Sequence, residues 1–138
     1  MRHRMTRGGF TLMEIMVVVI IIGVLAAIVV PQYVRHAERA KVEATKAQIK
    51  IIEDALSEYK LDTGKFPTTS QGLVALVKKP AGYSGDWPRG GYLPEVPGDA
   101  WGNDFVYVSP ASDKDYQIIS YGADGEQGGE DEYADIKS

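Results

Sequence analysis

Apolar and polar positions divide the chain into two unlike parts. Residues 10–30 are apolar almost throughout, with Glu14 as the single charge, and the basic residues Arg2, His3, Arg4 and Arg7 precede them. At about 1.5 Å per helical residue that run is long enough to cross about 30 Å of hydrocarbon, so it predicts a membrane-spanning helix. From residue 32 to about Asp62 the pattern changes to an amphipathic helix. Ala40, Ala44, Ala47, Ile51 and Ala55 recur at spacings of three and four, and Ile49, Ile52, Leu56 and Tyr59 form an adjacent stripe. Together they predict one wide apolar face. Charges occupy the other side, with Arg39 expected to pair with Glu43, and Lys46 grouped with Lys50, Glu53 and Asp54. One helix over residues 10–62 would run about 80 Å, far more than a bilayer needs, so its second half is expected to project into water. Gly64 is placed to stop it.

Beyond the helix, residues 63–67 read as a turn. Thr69 or Ser70 is a candidate cap for a short helix over residues 72–77, closed by Lys78, Lys79 and Pro80. Residues 80–102 are rich in Gly and Pro, yet hold Trp87, Tyr92 and Trp101, and those aromatics predict a loop folded back on the core. Residues 105–109 and 116–121 alternate as strands do. The expected fold is α+β: a long N-terminal helix packed on a small antiparallel sheet. Its segments are a leader (1–9), a transmembrane segment (10–30), the second half of the helix (31–62) and a C-terminal globular region (63–138).

Composition narrows the chemistry. The net charge is −4 and the pI near 5.1, which argues against a nucleic-acid partner. With no cysteine, disulfides, thiolate metal sites and cysteine nucleophiles are excluded. His3 lies in the leader and His36 has no ligand spacing beside it. Neither Gly-x-Ser-x-Gly nor a P-loop lysine motif occurs. The chain reads as a structural protein rather than an enzyme.

Glu14 is the residue that needs a reason, because an unpaired acid in a membrane helix costs about 2.5–3.5 kcal/mol at the bilayer centre and less near its edge. A cut between Gly9 and Phe10 supplies one. It would free an α-amine on Phe10, four residues from Glu14, so that amine and carboxylate would share a helix face. If subunits stack with an offset, Glu14 of one could equally meet the Phe10 amine of the next and fix their register. A simple signal anchor leaves both the acid and the junction unexplained.

Gly9-Phe10-Thr11-Leu12-Met13-Glu14 and its apolar run resemble the class III signal of type IV pilins and type II secretion pseudopilins. The resemblance implies cleavage after Gly9 by a prepilin peptidase, N-methylation of Phe10 and insertion into the bacterial inner membrane with the C-terminal region periplasmic. It makes Glu14 the assembly residue, and it matches Gly23 and Pro31 to the positions bracketing a helix segment that loosens in filaments. The stretch Tyr59-Lys60-Leu61-Asp62-Thr63-Gly64-Lys65-Phe66-Pro67, continuing to Leu73, is similar to the major pseudopilins of type II secretion in particular. That implies a homo-oligomeric periplasmic filament, the pseudopilus, with minor pseudopilins and inner-membrane assembly proteins as partners. The alternative from the same N-terminus is a type IV major pilin for adhesion or DNA uptake. Such pilins usually close the C-terminal region with a disulfide, which this chain cannot form.

Residues 122–135 concentrate carboxylates and glycines. Composition alone leaves two readings open, a frayed solvating tail or a hard-cation site built from carboxylates and carbonyls. The EF-hand pattern fails here. The resemblance implies Ca2+: by position, side chains from Asp124 and Asp131 and main-chain oxygens from Tyr121 and Gly129 would be ligands. Glu132 and Asp135 stand as further candidates, and Glu130 reads as a solvated charge. In a protein without disulfides, such a metal would tether the C-terminal loop.

Overall fold

The computed structural model describes residues 9–130 and 133–138. Its first element, α1, is a 52-residue helix, Leu12–Thr63. Phe10 and Thr11 precede it, so the helix begins two residues later than the apolar run. At its end Gly64 adopts φ +79°, and its N–H donates to the Lys60 carbonyl at 2.7 Å. This is the left-handed cap that a glycine permits without Cβ strain. Pro31 lies inside α1 and Gly23 does too, and the helix is continuous through both. Pro31 offers no N–H to the turn before it, so that turn lacks one backbone bond.

The chain divides into two compact units, one ending at Ala37 and the other covering Glu38–Ser138. In the first, every residue from Leu12 to Ala37 is exposed, including a long series of Ile, Val and Leu side chains. A helix apolar on all sides is a membrane span or a segment covered by other chains. The residues beyond Leu12 include one window long and apolar enough to cross a membrane.

The second unit has its own core. Ile49, Ile52, Leu56 and Tyr59 of α1 are buried in it together with Leu73, Leu76, Leu93, Phe105, Tyr107 and Ile118. The wide apolar face expected from the sequence is only half right. The stripe through Ile49, Ile52, Leu56 and Tyr59 is buried, but Ala40, Ala44, Ala47 and Ile51 are exposed, and the buried residue one turn before Ile49 is Thr45, at 0% exposure. A hydroxyl is tolerated there because it accepts a hydrogen bond from the Ala100 N–H at 3.1 Å. The ion pairs differ from expectation except within the group of Lys50, Glu53 and Asp54. Glu43 pairs with Lys46, not Arg39, while Glu38 pairs with Lys41 and Lys50 with Glu53 and Asp54.

The expected short helix is a single 3-10 turn, Leu73–Leu76, preceded by Gly72 and without a side-chain cap. Thr69 is drawn elsewhere: its hydroxyl and N–H both donate to the Ser109 carbonyl, and its Oγ1 accepts from the Ser109 N–H. The sheet has three antiparallel strands in chain order: β1 (Val106–Val108), β2 (Gln117–Ser120) and β3 (Ile136–Lys137). Tyr107 pairs with Ile118 and points with it into the core, and Ser120 pairs with Ile136. β3 follows directly on the acidic segment 122–135 and returns the chain to the sheet. The aromatic loop folds back as expected. Tyr83, Trp87 and Tyr92 pack edge to face around Tyr59, with centroids 5.2–5.7 Å apart. A hydroxyl chain runs from Tyr83 through Tyr92 (2.7 Å) to the Asp62 carboxylate (2.6 Å).

Candidate functional site

Two places gather the residues singled out by the sequence. At the start of α1, Thr11 is the N-cap: its Oγ1 accepts from the Glu14 N–H at 3.2 Å, and its carbonyl accepts the first helical bond, from Ile15. Glu14 therefore sits in the first turn, where the partial positive charge of the helix end favours a carboxylate. The sequence carried a signal for this that the apolar pattern obscured, because Thr11-Leu12-Met13-Glu14 is a Thr-x-x-Glu capping signature ahead of an apolar run. The expected i, i+4 relation of the Phe10 amine to Glu14 concerns the cut chain. Phe10 stands outside α1, before the cap, so the helical i, i+4 geometry does not relate it to Glu14 in the uncut chain. Gly9 and Phe10 are both exposed, as an accessible junction requires.

The second place is the loop between β2 and β3. Tyr121, Asp124, Gly129 and Asp135 lie on it, whereas Asp131 and Glu132 fall outside the described residues. Its backbone turns on glycines with positive φ: Gly122 (67°), Gly125 (69°), Gly128 (108°) and Gly129 (89°). At Gly129 a Cβ would collide with the Tyr133 carbonyl, and at Gly122 it would stand 3.3 Å from the Ala134 carbonyl. The two arms of the loop thus approach more closely than side chains allow, with main-chain oxygens turned into the gap.

The acids have different settings. Asp124 is exposed and its Oδ1 accepts the Glu126 N–H at 3.1 Å, which turns the carboxylate back over the loop. The Asp135 side chain is 7% exposed, accepts the Gly128 N–H at 3.0 Å and lies 3.7 Å from the Lys137 ammonium. Those contacts make Asp135 a clamp between the arms. Among the described residues, no three acidic or histidine side chains converge as a metal cluster. Asp124 offers a carboxylate on this loop and the glycine turns leave main-chain carbonyls unshielded by side chains, and oxygen donors of both kinds are what a hard cation takes.

A buried network stands behind this loop. The Asp99 Oδ1 accepts from the Trp101 N–H (3.0 Å) and the Asn103 N–H (2.8 Å), and its Oδ2 accepts from the Ser120 hydroxyl (2.7 Å). Ser120 Oγ in turn accepts the Gly122 N–H, and Asn103 Nδ2 donates to the Gly122 carbonyl. Trp101 reaches the other way, its Nε1–H donating to Glu38 at 3.0 Å. That bond first, and Lys41 second, hold the Glu38 carboxyl below its ordinary range.

Over residues 32–138, which contain this loop and the whole core, the sequence matches the profile of type II secretion system protein G. The chain belongs to the type II secretion system protein G family. Residues 4–30 match a second profile, the prokaryotic N-terminal methylation motif, which covers the Gly9–Phe10 junction and Glu14. Among relatives of the protein G family, the type II secretion system core protein G of Pseudomonas aeruginosa is 50% identical, over 97% of this chain and 96% of its own. That of Vibrio cholerae is 44% identical over 99% and 94%. A crystal structure of the major pseudopilin from the type 2 secretion system of enterohaemorrhagic Escherichia coli superposes with a TM-score of 0.66 at 33% identity. It covers 80% of this chain and 96% of its own. The protein G family is one of structural pseudopilin subunits, and these relatives favour the secretion reading over the type IV pilin.

Proposed function

We propose that this chain is a major pseudopilin, the subunit that polymerises into the periplasmic pseudopilus of a type II secretion system, and that its role is assembly rather than catalysis. The observation that carries this reading is the conjunction of the protein G match over residues 32–138 with a methylation motif over residues 4–30, where the apolar first part of α1 is exposed throughout. In it, a prepilin peptidase cuts after Gly9 and Phe10 becomes the methylated N-terminus. The helix waits in the inner membrane with the Glu38–Ser138 unit in the periplasm. On assembly with further copies, minor pseudopilins and inner-membrane assembly proteins, Glu14 sets register against a Phe10 amine. Gly23 and Pro31 are where the helix has least to lose by loosening. The mass of the membrane-extracted protein tests the first step: loss of residues 1–9 and gain of one methyl group are expected, and an uncut Gly9–Phe10 bond refutes it.

The β2–β3 loop is proposed to hold Ca2+. Asp124 would supply a side-chain oxygen, with Asp131 as its partner and the Tyr121 and Gly129 carbonyls completing the set. Glu132 remains a further candidate, and Asp135 serves the fold instead. The cation would neutralise the acidic loop and join its arms, so its binding energy would add to folding stability. Chelation is expected to lower the melting temperature, and Asp124→Ala to remove the response to added calcium. A melting curve indifferent to chelator refutes the proposal.

A further inference from the structure

The loop is gripped from behind at one peptide. The Gly122 N–H is held by Ser120 Oγ at 3.2 Å and the Gly122 carbonyl by Asn103 Nδ2 at 3.1 Å. The Asn103 carboxamide also lies 3.7–3.9 Å from where a Cβ on Gly125 would stand, so it underlies both ends of the turn that carries Asp124. Asn103 is itself fixed: its N–H donates to Asp99 Oδ1, and its carbonyl accepts the Asp99 N–H at 2.9 Å. Asp99 is 7% exposed and Ser120 fully buried, and no polar side-chain atom buried among the described residues lacks a partner. A buried network that is fully satisfied holds its members in one arrangement. It continues to α1 through the Ala100 N–H and Thr45.

We propose that Asn103, fixed by Asp99 and backed by Ser120, is the positioning residue of the cation loop: it sets the Gly122–Gly125 turn so that Asp124 meets the ion already oriented. This rests on the calcium reading of the loop. Groups that orient ligands from outside the coordination sphere typically change metal affinity by 10–100-fold when removed.

The test is a calcium titration followed by thermal melting of the detergent-solubilised full chain, comparing wild type with Asn103→Ala. Positioning predicts calcium affinity at least about tenfold weaker and a smaller calcium-induced rise in melting temperature. A purely structural role instead lowers the melting temperature equally with calcium and with chelator, at unchanged affinity. That result overturns the positioning role while leaving the calcium site standing. A wild-type chain that shows no calcium response overturns the site, and this inference with it. Should Asn103→Ala not fold, Ser120→Ala, which removes the acceptor for the Gly122 N–H, is judged by the same criteria.

Discussion

Gly91→Ala is the substitution for which the structure gives the most specific expectation. Gly91 has φ +77°, and a Cβ there would lie 2.8 Å from the Leu76 carbonyl oxygen, 2.9 Å from that of Val77 and 3.3 Å from that of Leu93. All three are backbone atoms, so no rotamer change relieves the collision. The Leu76 carbonyl also accepts from both the Tyr92 and Leu93 N–H groups, at 2.8 and 3.0 Å. Moving it weakens the two bonds that seat the aromatic loop beside the 3-10 turn. The left-handed backbone costs an alanine about 1–2 kcal/mol, and two lost hydrogen bonds cost about 1 kcal/mol each. The sum is about 3–4 kcal/mol, a large part of the stability of a domain this size, and corresponds to a fall in melting temperature on the order of 10–20 °C. Gly90→Ala is the control: Gly90 has φ +90° but nothing within 4 Å of a Cβ, so it should show the backbone cost alone. Melting followed by near-ultraviolet circular dichroism, which reports Tyr59, Tyr83, Trp87 and Tyr92, separates the two. If Gly91→Ala melts with Gly90→Ala, the close approach contributes nothing and the reasoning fails.

Burial pushes the Tyr107 phenol up to about 12. Its raised value favours the protonated folded state, so its contribution is complete below about pH 10 and is lost as pH rises from there towards about 12. That loss is on the order of 2–3 kcal/mol, and Tyr107→Phe should flatten this part of the pH–stability curve; an unchanged alkaline limb refutes it. Because the Trp101 indole lowers the Glu38 carboxyl, that contribution is present above the ordinary glutamate range and lost as pH falls through the lowered value. Trp101→Phe should make melting temperature less sensitive to acid, and equal slopes for the two proteins would count against the contact. Glu14→Ala should leave cleavage and membrane insertion intact but reduce pseudopilus formation in a secretion-competent cell, and normal filaments would remove the register role.

The long helix was legible because its two signals are strong: an unbroken apolar run, then a 3.6-residue period. The misplacement of its buried face has a local cause. Ala carries little burial preference of its own, so Ala40, Ala44 and Ala47 fit a stripe as well as Thr45 does, until the Ala100 N–H makes the threonine the buried one. The short helix failed because Thr69, which could have capped it, bonds Ser109 forty residues away, a pairing no local window contains. β3 was invisible for a similar reason. Two residues, Ile136 and Lys137, have no period of their own and become a strand only by pairing with Ile119 and Ser120. At the candidate sites, residue types were legible but partners were not: Asp135 reads as one more acid in a row until Gly128 and Lys137 appear beside it.

The exposure of the apolar helix bears on what could drive assembly. Ile20, Ile22, Leu25 and Ile28 are each more than half exposed, so they need covering by lipid or by neighbouring chains. Lipid tails are as apolar as these side chains, so their transfer from bilayer to a bundle of helices is nearly neutral in hydrophobic terms. The seam of such a bundle must therefore be chosen by packing and by polar groups. Glu14 is the one ionisable residue between Thr11 and Gln32. Its cap and the helix dipole reduce its cost in the membrane without removing it, because the bond from the Glu14 N–H to Thr11 engages the backbone and leaves the carboxylate itself to find a cation. In the cut chain the α-amine of Phe10 is the nearest such group in sequence. An offset copy would bring a second one, and only that arrangement couples relief of the buried charge to the addition of a subunit.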